Sequence, residues 1–152
     1  MKIAVGSDHN GFDLKEEIKK YLDSEKYEFI DYGCYSCDAV DYPDVAFQVA
    51  EDVSENKVDR GILICGTGIG VAIAACKYPG IRAALCHDTY SAERAQLSNN
   101  AQILTMGAQI IGPEVGKKVV AAYLNSFWGG GSERKVNKIT NRENEFIAKS
   151  SK

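Results

Sequence analysis

Histidine is scarce in this chain: there are two, against 21 acidic and 18 basic residues. No H-x-x-x-H pair and no carboxylate cluster stands at metal-ligand spacing, so no metal centre is expected. No serine occupies a nucleophile elbow with a partner histidine, which excludes a serine-hydrolase triad. No Gly-Lys-Ser or Gly-Lys-Thr follows the glycines, which excludes a P-loop. Long apolar runs are also missing, and the opening MKIAVGSDH enters a strand rather than a signal segment. The expectation is therefore a cytoplasmic protein with no membrane partner. No block is heavily basic, and a net charge of -3 with a pI near 5.4 argues against nucleic acid as a partner. The five cysteines, an odd number, argue for reduced thiols. Cys34 and Cys37 form C-x-x-C, but no second pair stands at zinc-finger spacing. Chance proximity in a loop is the better reading, and a redox pair the second.

What is present suits one globular domain spanning residues 1–152, since 152 residues at 45% hydrophobic bury a full core without staples. The chain is organised around residues 59–77, DRGILICGTGIGVAIAACK. The apolar run Ile62 to Cys65 leads into Gly66-Thr67-Gly68-Ile69-Gly70, after which small and apolar residues resume at helical spacing. Such a strand, glycine turn and helix start let backbone N–H groups converge at the positive end of a helix dipole, where an anion can be held. Cys65 closes the strand facing that hole, and thiols beside helix N-termini take the thiolate form more readily. A base and an anion hole are thus offered together. The plainer reading is that Cys65 is a small buried hydrophobe and that the glycines only relieve crowding.

Taken in order, Lys2 to Gly6 reads as a strand, Ser7-Asp8-His9-Asn10-Gly11 as a polar turn, and Phe12 to Leu22 as a helix. Asp8 and His9 then lie at the C-terminal edge of a strand, where open α/β sheets bind ligands; helix capping is the rival role for Asp8. Tyr27 to Tyr32 is a second strand, and residues 44–56 a helix with Pro43 in its first turn. Ile81 to Cys86 is a fourth strand, followed by His87-Asp88 and a helix from Thr89 to Leu97. Gln102 to Met106 is a fifth strand and Pro113 to Phe127 a helix. Alternating strands and helices with apolar strand runs predict a parallel sheet covered on both faces. Beyond Gly129-Gly130-Gly131-Ser132, a charged helix over 133–149 carries only Val136, Ile139 and Phe146 as apolar contacts. A second subunit is its natural partner.

The functional edge therefore gathers Asp8/His9, Cys65 with its glycines, and His87/Asp88. A dinucleotide site is the nearest structural rival, because Asp88 lies about twenty residues past the glycines, where a ribose-binding acid is expected. The spacing G-x-G-x-G and the loop's place after the third strand weaken that rival. A thiolate at an anion hole is better matched to removing a proton beside a carbonyl, where the enediolate oxygen needs fixed donors.

Ser7-Asp8-His9-Asn10-Gly11, Asp41-Tyr42-Pro43-Asp44, Gly61-Ile62-Leu63-Ile64-Cys65-Gly66-Thr67-Gly68-Ile69-Gly70, Gly80-Ile81-Arg82-Ala83-Ala84 and Asn99-Asn100-Ala101 together resemble ribose-5-phosphate isomerase B. That family also holds allose-6-phosphate isomerase and the galactose-6-phosphate isomerase subunits. The resemblance implies a Rossmann-like three-layer α/β/α sandwich with a five-stranded parallel sheet. It also implies a homodimer with shared active sites, a sugar phosphate substrate, and no metal or cofactor. Carried over by position, Cys65 is the base between C1 and C2, Thr67 assists at the ring oxygen, and Gly66, Gly68, Ile69 and Gly70 stabilise the enediolate. Asp8, His9 and Tyr42 line the sugar, and Asn99 reaches in from the partner subunit.

The departures gather on one side. Ser98 stands where the family's ring-opening histidine is expected, and Gln109 where an arginine follows the fifth strand. Gly129-Gly130-Gly131-Ser132 replaces Gly-Gly-Arg-His, and the following arginine is Lys135. His9, Arg134, Lys135 and Lys138 remain for a weaker phosphate site, since a lysine replaces a bidentate arginine only in part. Ribose 5-phosphate is the first substrate expected. Another sugar phosphate, a free sugar, or a noncatalytic or nucleotide-binding relative are the alternatives. His87, oriented by Asp88, is the one candidate left for ring opening, against the plainer role of a solvated loop residue.

Overall fold

The computed structural model describes Met1 to Lys152. Five strands, β1 (Lys2–Ser7), β2 (Glu28–Asp31), β3 (Arg60–Cys65), β4 (Ala83–Leu85) and β5 (Ile103–Gly107), alternate with helices α1 (Phe12–Ser24), α2 (Tyr42–Ser54), α3 (Ile69–Cys76), α4 (Thr89–Leu97) and α5 (Pro113–Leu124); α6 (Glu133–Ser150) follows. The strands form one sheet in the order β2-β1-β3-β5-β4, and every pairing is parallel. This is the α/β architecture expected from the strand-helix alternation.

Strand alternation sorts the core into two layers. Ile62 and Ile64 of β3 pack with Ile3, Val5, Leu104 and Met106 against Leu14 and Ile18 of α1 and Val119 and Tyr123 of α5. Leu63 and Cys65 point the other way, toward Val45, Ala46 and Val49 of α2 and Val71 and Ala75 of α3. All six residues of β3 are buried, as befits a central parallel strand. Buried Arg60 at its start ties down the distant chain: its guanidinium donates to the Tyr123 and Ser126 carbonyls, at 2.8 and 2.7 Å.

Several boundaries differ from the periodicity. The fourth strand is only Ala83–Leu85, because it is an edge strand that pairs with β5 over three residues; Arg82 N–H instead donates to the Gln102 side chain at 2.8 Å. The second helix begins at Tyr42 and ends at Ser54, and Asn56 beyond it takes a positive φ of 58°. The fifth helix stops at Leu124 rather than Phe127.

The order also fixes where the sheet can bind a ligand. From β1 the chain crosses to β2 on one side, whereas from β3 it runs toward β5 and β4 on the other. The carboxyl ends of β1 and β3 therefore flank the topological switch point, where open α/β sheets form a crevice.

Candidate active site

Asp8 and Cys65 stand at that switch point. The Asp8 N–H donates to the Ile64 carbonyl at 3.3 Å, stitching the two strand ends together. Its carboxylate accepts from the Gly11 N–H at 3.1 Å, so the capping role is real, and the side chain also lines the cleft.

The Cys65 sulfur accepts a hydrogen bond from the Gly68 N–H at 3.1 Å, closing the turn that starts α3. Gly68 is left-handed, with φ of 77°. A Cβ there would lie 2.6 Å from the Met106 carbonyl carbon, so only glycine fits this turn. The N–H groups of Gly66, Thr67 and Gly70 meet no acceptor within the chain. The Cys65 sulfur thus sits beside backbone N–H groups left without an acceptor, on residues that line a cleft, an arrangement suited to a developing oxyanion.

The cleft has a volume of about 450 Å³. Asp8, Cys65 and the glycine turn line it, together with Tyr42 and Gln109. A Cβ on Gly70 would meet the Tyr42 ring at 2.6 Å, and one on Gly66 would meet the Gln109 amide at 3.0 Å. These close approaches bring the start of α2 and the segment after β5 over the glycine turn. Backbone bonds from Ala108 to the Cys65 carbonyl and from Gln109 to the Gly66 carbonyl, both 2.9 Å, hold the latter in place. Asn10 and Ile73 also line the cleft. Sequence reasoning left them unassigned, although Asn10 belongs to the same polar turn as Asp8.

Other expected residues lie elsewhere. His9 is half-buried, and its Nδ1 accepts from the Val40 N–H at 3.3 Å. His87 is not among the lining residues; its Nε2 accepts from the Gly107 N–H at 2.8 Å, and burial holds its pKa below the ordinary imidazole value while Asp88 opposes that shift. Asp88 does not orient His87. Its carboxylate accepts from the Ser91 N–H at 2.7 Å and caps α4, and this bond lowers its pKa. Ser98 ends α4, its hydroxyl accepting from Arg94 Nε at 2.9 Å. Asn99 is exposed beside Arg82, Ile139 and Glu143. Arg134, Lys135 and Lys138 are exposed on α6, outside the cleft lining.

A second hollow, of about 470 Å³, lies under the loop after β2 and is lined by Asp38, Asp41 and Asp44. Its carboxylates repel anions, so the Cys65 cleft is the candidate site for an anionic substrate or intermediate.

A family model described as Ribose/Galactose Isomerase matches residues 3–139. The chain is similar to ribose-5-P isomerase B of Listeria innocua, with 51% identity over 137 residues, covering 90% of this chain and 93% of that protein. It is comparably similar to D-erythrulose-4-phosphate isomerase of Pectobacterium atrosepticum, 49% identical over 142 residues, covering 91% and 93%. Among solved structures, ribose-5-phosphate isomerase B of Clostridium thermocellum superposes with a TM-score of 0.94 at 44% identity, covering 96% of this chain and 99% of that one.

Proposed function

The chain belongs to the ribose/galactose isomerase family, and we propose that it interconverts a phosphorylated aldose and its ketose through an enediol, with Cys65 as the base. The observation that carries this reading is the Cys65 sulfur, 3.1 Å from the Gly68 N–H, beside the unpaired N–H groups of Gly66, Thr67 and Gly70. Sulfur removes the proton from C2 of the aldose, and the donors hold the oxygen as charge develops. The same proton, or one from solvent, returns to C1, so the reaction is redox-neutral and calls for no cofactor or metal.

Asp8 and Tyr42 face the sugar hydroxyls, with Thr67 and Ile69 at the turn. The phosphate falls to His9, Arg134, Lys135 and Lys138, with Gln109 as a neutral partner. Because α6 holds its cations away from the cleft of its own chain, a second copy is the proposed source of them, together with Asn99 and Ser98. Exposed Ile69 and Ile73 beside the cleft, and Ile139 and Phe146 on α6, support a homodimer; a monomer by light scattering at working concentration overturns it. Ribose 5-phosphate, the substrate in the names of several relatives, is the first reading of the natural sugar. A four-carbon sugar phosphate is the second, and it is favoured by the lack of any imidazole in the cleft.

Isomerisation in deuterium oxide tests the mechanism. Solvent deuterium should appear at C1 of the ketose, and the Cys65→Ala variant should lose this exchange. Turnover that survives Cys65→Ala with deuterium still entering C1 would move the base elsewhere.

A further inference from the structure

The chain leaving α4 is fixed by side chains from distant segments. Asn100 takes a left-handed φ of 46°, a conformation that asparagine tolerates better than most residues. Arg82 Nε donates to the carbonyls of Asn99 and Asn100, both at 3.1 Å, and Nη2 donates to Asn100 again at 2.9 Å. The buried Tyr123 hydroxyl donates to the next carbonyl, that of Ala101, at 2.7 Å. The Asn99 side chain is left exposed, with no hydrogen bond inside its own chain.

The same guanidinium also faces α6. Nη1 donates to the Gly80 carbonyl at 3.2 Å. The Gln102 amide closes the corner, donating to the Gly80 carbonyl at 2.9 Å and accepting from the Arg82 N–H at 2.8 Å. The Gly80 N–H in turn donates to Glu143 of α6 at 2.8 Å. Asn99 and α6 are thus bonded to each other through Arg82 and Gly80, and none of Gly80, Arg82, Asn99 or Glu143 lines the Cys65 cleft of the same chain. These are the two pieces proposed above to serve the cleft of a second copy. A guanidinium suits the task because its planar fork donates in several fixed directions at once, whereas an ammonium is a point charge. An amide carried on a backbone already held in place loses less freedom when it meets a ligand.

We infer that Arg82 is a positioning residue that acts in trans: it holds Asn99 and, through Gly80, α6 as one unit, and so sets the geometry of the partner copy's cleft rather than that of its own. This inference rests on the shared-site isomerase reading above and adds to it the residue that aligns the parts supplied by the second copy.

Subunit mixing tests it, with turnover followed on ribose 5-phosphate and on D-erythrose 4-phosphate. Arg82→Met should keep the dimer mass in light scattering and lower kcat/KM by about 10- to 100-fold, the cost of misplacing a binding group, in step with Asn99→Ala. Arg82→Lys, which keeps the charge but serves one carbonyl at a time, should lose less, and it replaces Arg82→Met wherever the latter fails to fold. Co-expressing the Arg82 variant with Cys65→Ala under two affinity tags, and purifying through both, gives a mixed dimer. One of its clefts then pairs Cys65 with an intact Arg82 unit, and the dimer should recover about half of the wild-type activity. A mixed dimer no more active than the mean of its parents overturns the inference, because Arg82 then serves its own chain's cleft. So does a wild-type kcat/KM in Arg82→Met while Asn99→Ala is impaired, and so does a fall of both Arg82 variants to the monomer mass; each leaves the isomerase standing. Full activity of Asn99→Ala overturns the shared-site reading, and absence of turnover and of solvent deuterium exchange in the wild type with both sugars overturns the isomerase reading; either takes the inference with it.

Discussion

The turn between β3 and α3 and the helix α6 are opposite kinds of structure. The turn is closed by its own neighbours. Gly68 N–H reaches the Cys65 sulfur, and the Thr105 hydroxyl donates to the Gly68 carbonyl at 2.9 Å. The segment after β5 is bonded to the carbonyls of Cys65 and Gly66. Helix α6 is tied to the sheet by little more than buried Val136 and a bond from the Gly80 N–H to Glu143 at 2.8 Å. Its Ile139 and Phe146 are 54% and 55% exposed. The turn around Cys65 is thus held together within one chain, whereas the cations proposed to hold a phosphate sit on an element that leaves Ile139 and Phe146 exposed. Chemistry and anchoring are built by different means, and different substitutions should separate them.

The largest expected effect is at the turn. Cys65→Ala should lower kcat by about 10²–10⁴, the usual worth of a positioned base. Its thermal midpoint should stay near that of the wild type, since a small apolar residue replaces a small buried thiol. Retention of most activity would move the base elsewhere.

Glycines of the two regions sharpen the contrast further. Gly68→Ala combines a left-handed backbone with a collision against Met106 and should cost about 1–3 kcal/mol in urea unfolding. Gly130, before α6, has φ of 80° but nothing within 4 Å of a Cβ. Gly130→Ala should cost only about 1 kcal/mol. Equal costs would mean that the turn is looser than its contacts imply.

On α6, Phe146→Asp should leave the unfolding midpoint of the isolated chain nearly unchanged and shift the light-scattering mass from dimer to monomer. The Michaelis constant for a phosphorylated substrate should rise as the cations are lost. A loss of folding stability without a change of mass would show that α6 packs on its own chain.

The smallest effect concerns pH. Burial lowers the pKa of His87 in the folded state, against an opposing pull from Asp88. As pH falls through about 6.5, the ordinary imidazole value, the unfolded chain gains its proton first. Stability from this group is therefore full above that pH and declines below it. His87→Gln keeps an acceptor for the Gly107 N–H and should flatten the decline. An unchanged pH profile would assign the dependence to another group.

Much of this was legible in the sequence because it is local. Ile62 to Cys65 followed by Gly66-Thr67-Gly68-Ile69-Gly70 specifies a buried strand, a tight glycine turn and a helix start within a dozen residues, which put Cys65 beside the helix N-terminus. The polar turn containing Asp8 was equally readable, and so was the parallel α/β class. What only the tertiary structure decided depends on contacts between distant segments. Tyr42 covers Gly70 and Gln109 faces Gly66 because the order β2-β1-β3-β5-β4 brings α2 and the end of β5 to the same turn. His87 lies at a strand end, as its position suggested, yet it serves the Gly107 N–H, and Asp88 caps α4 instead of orienting it. Which strand neighbours which is settled by burying two apolar faces at once, a property of the whole chain that no local pattern carries.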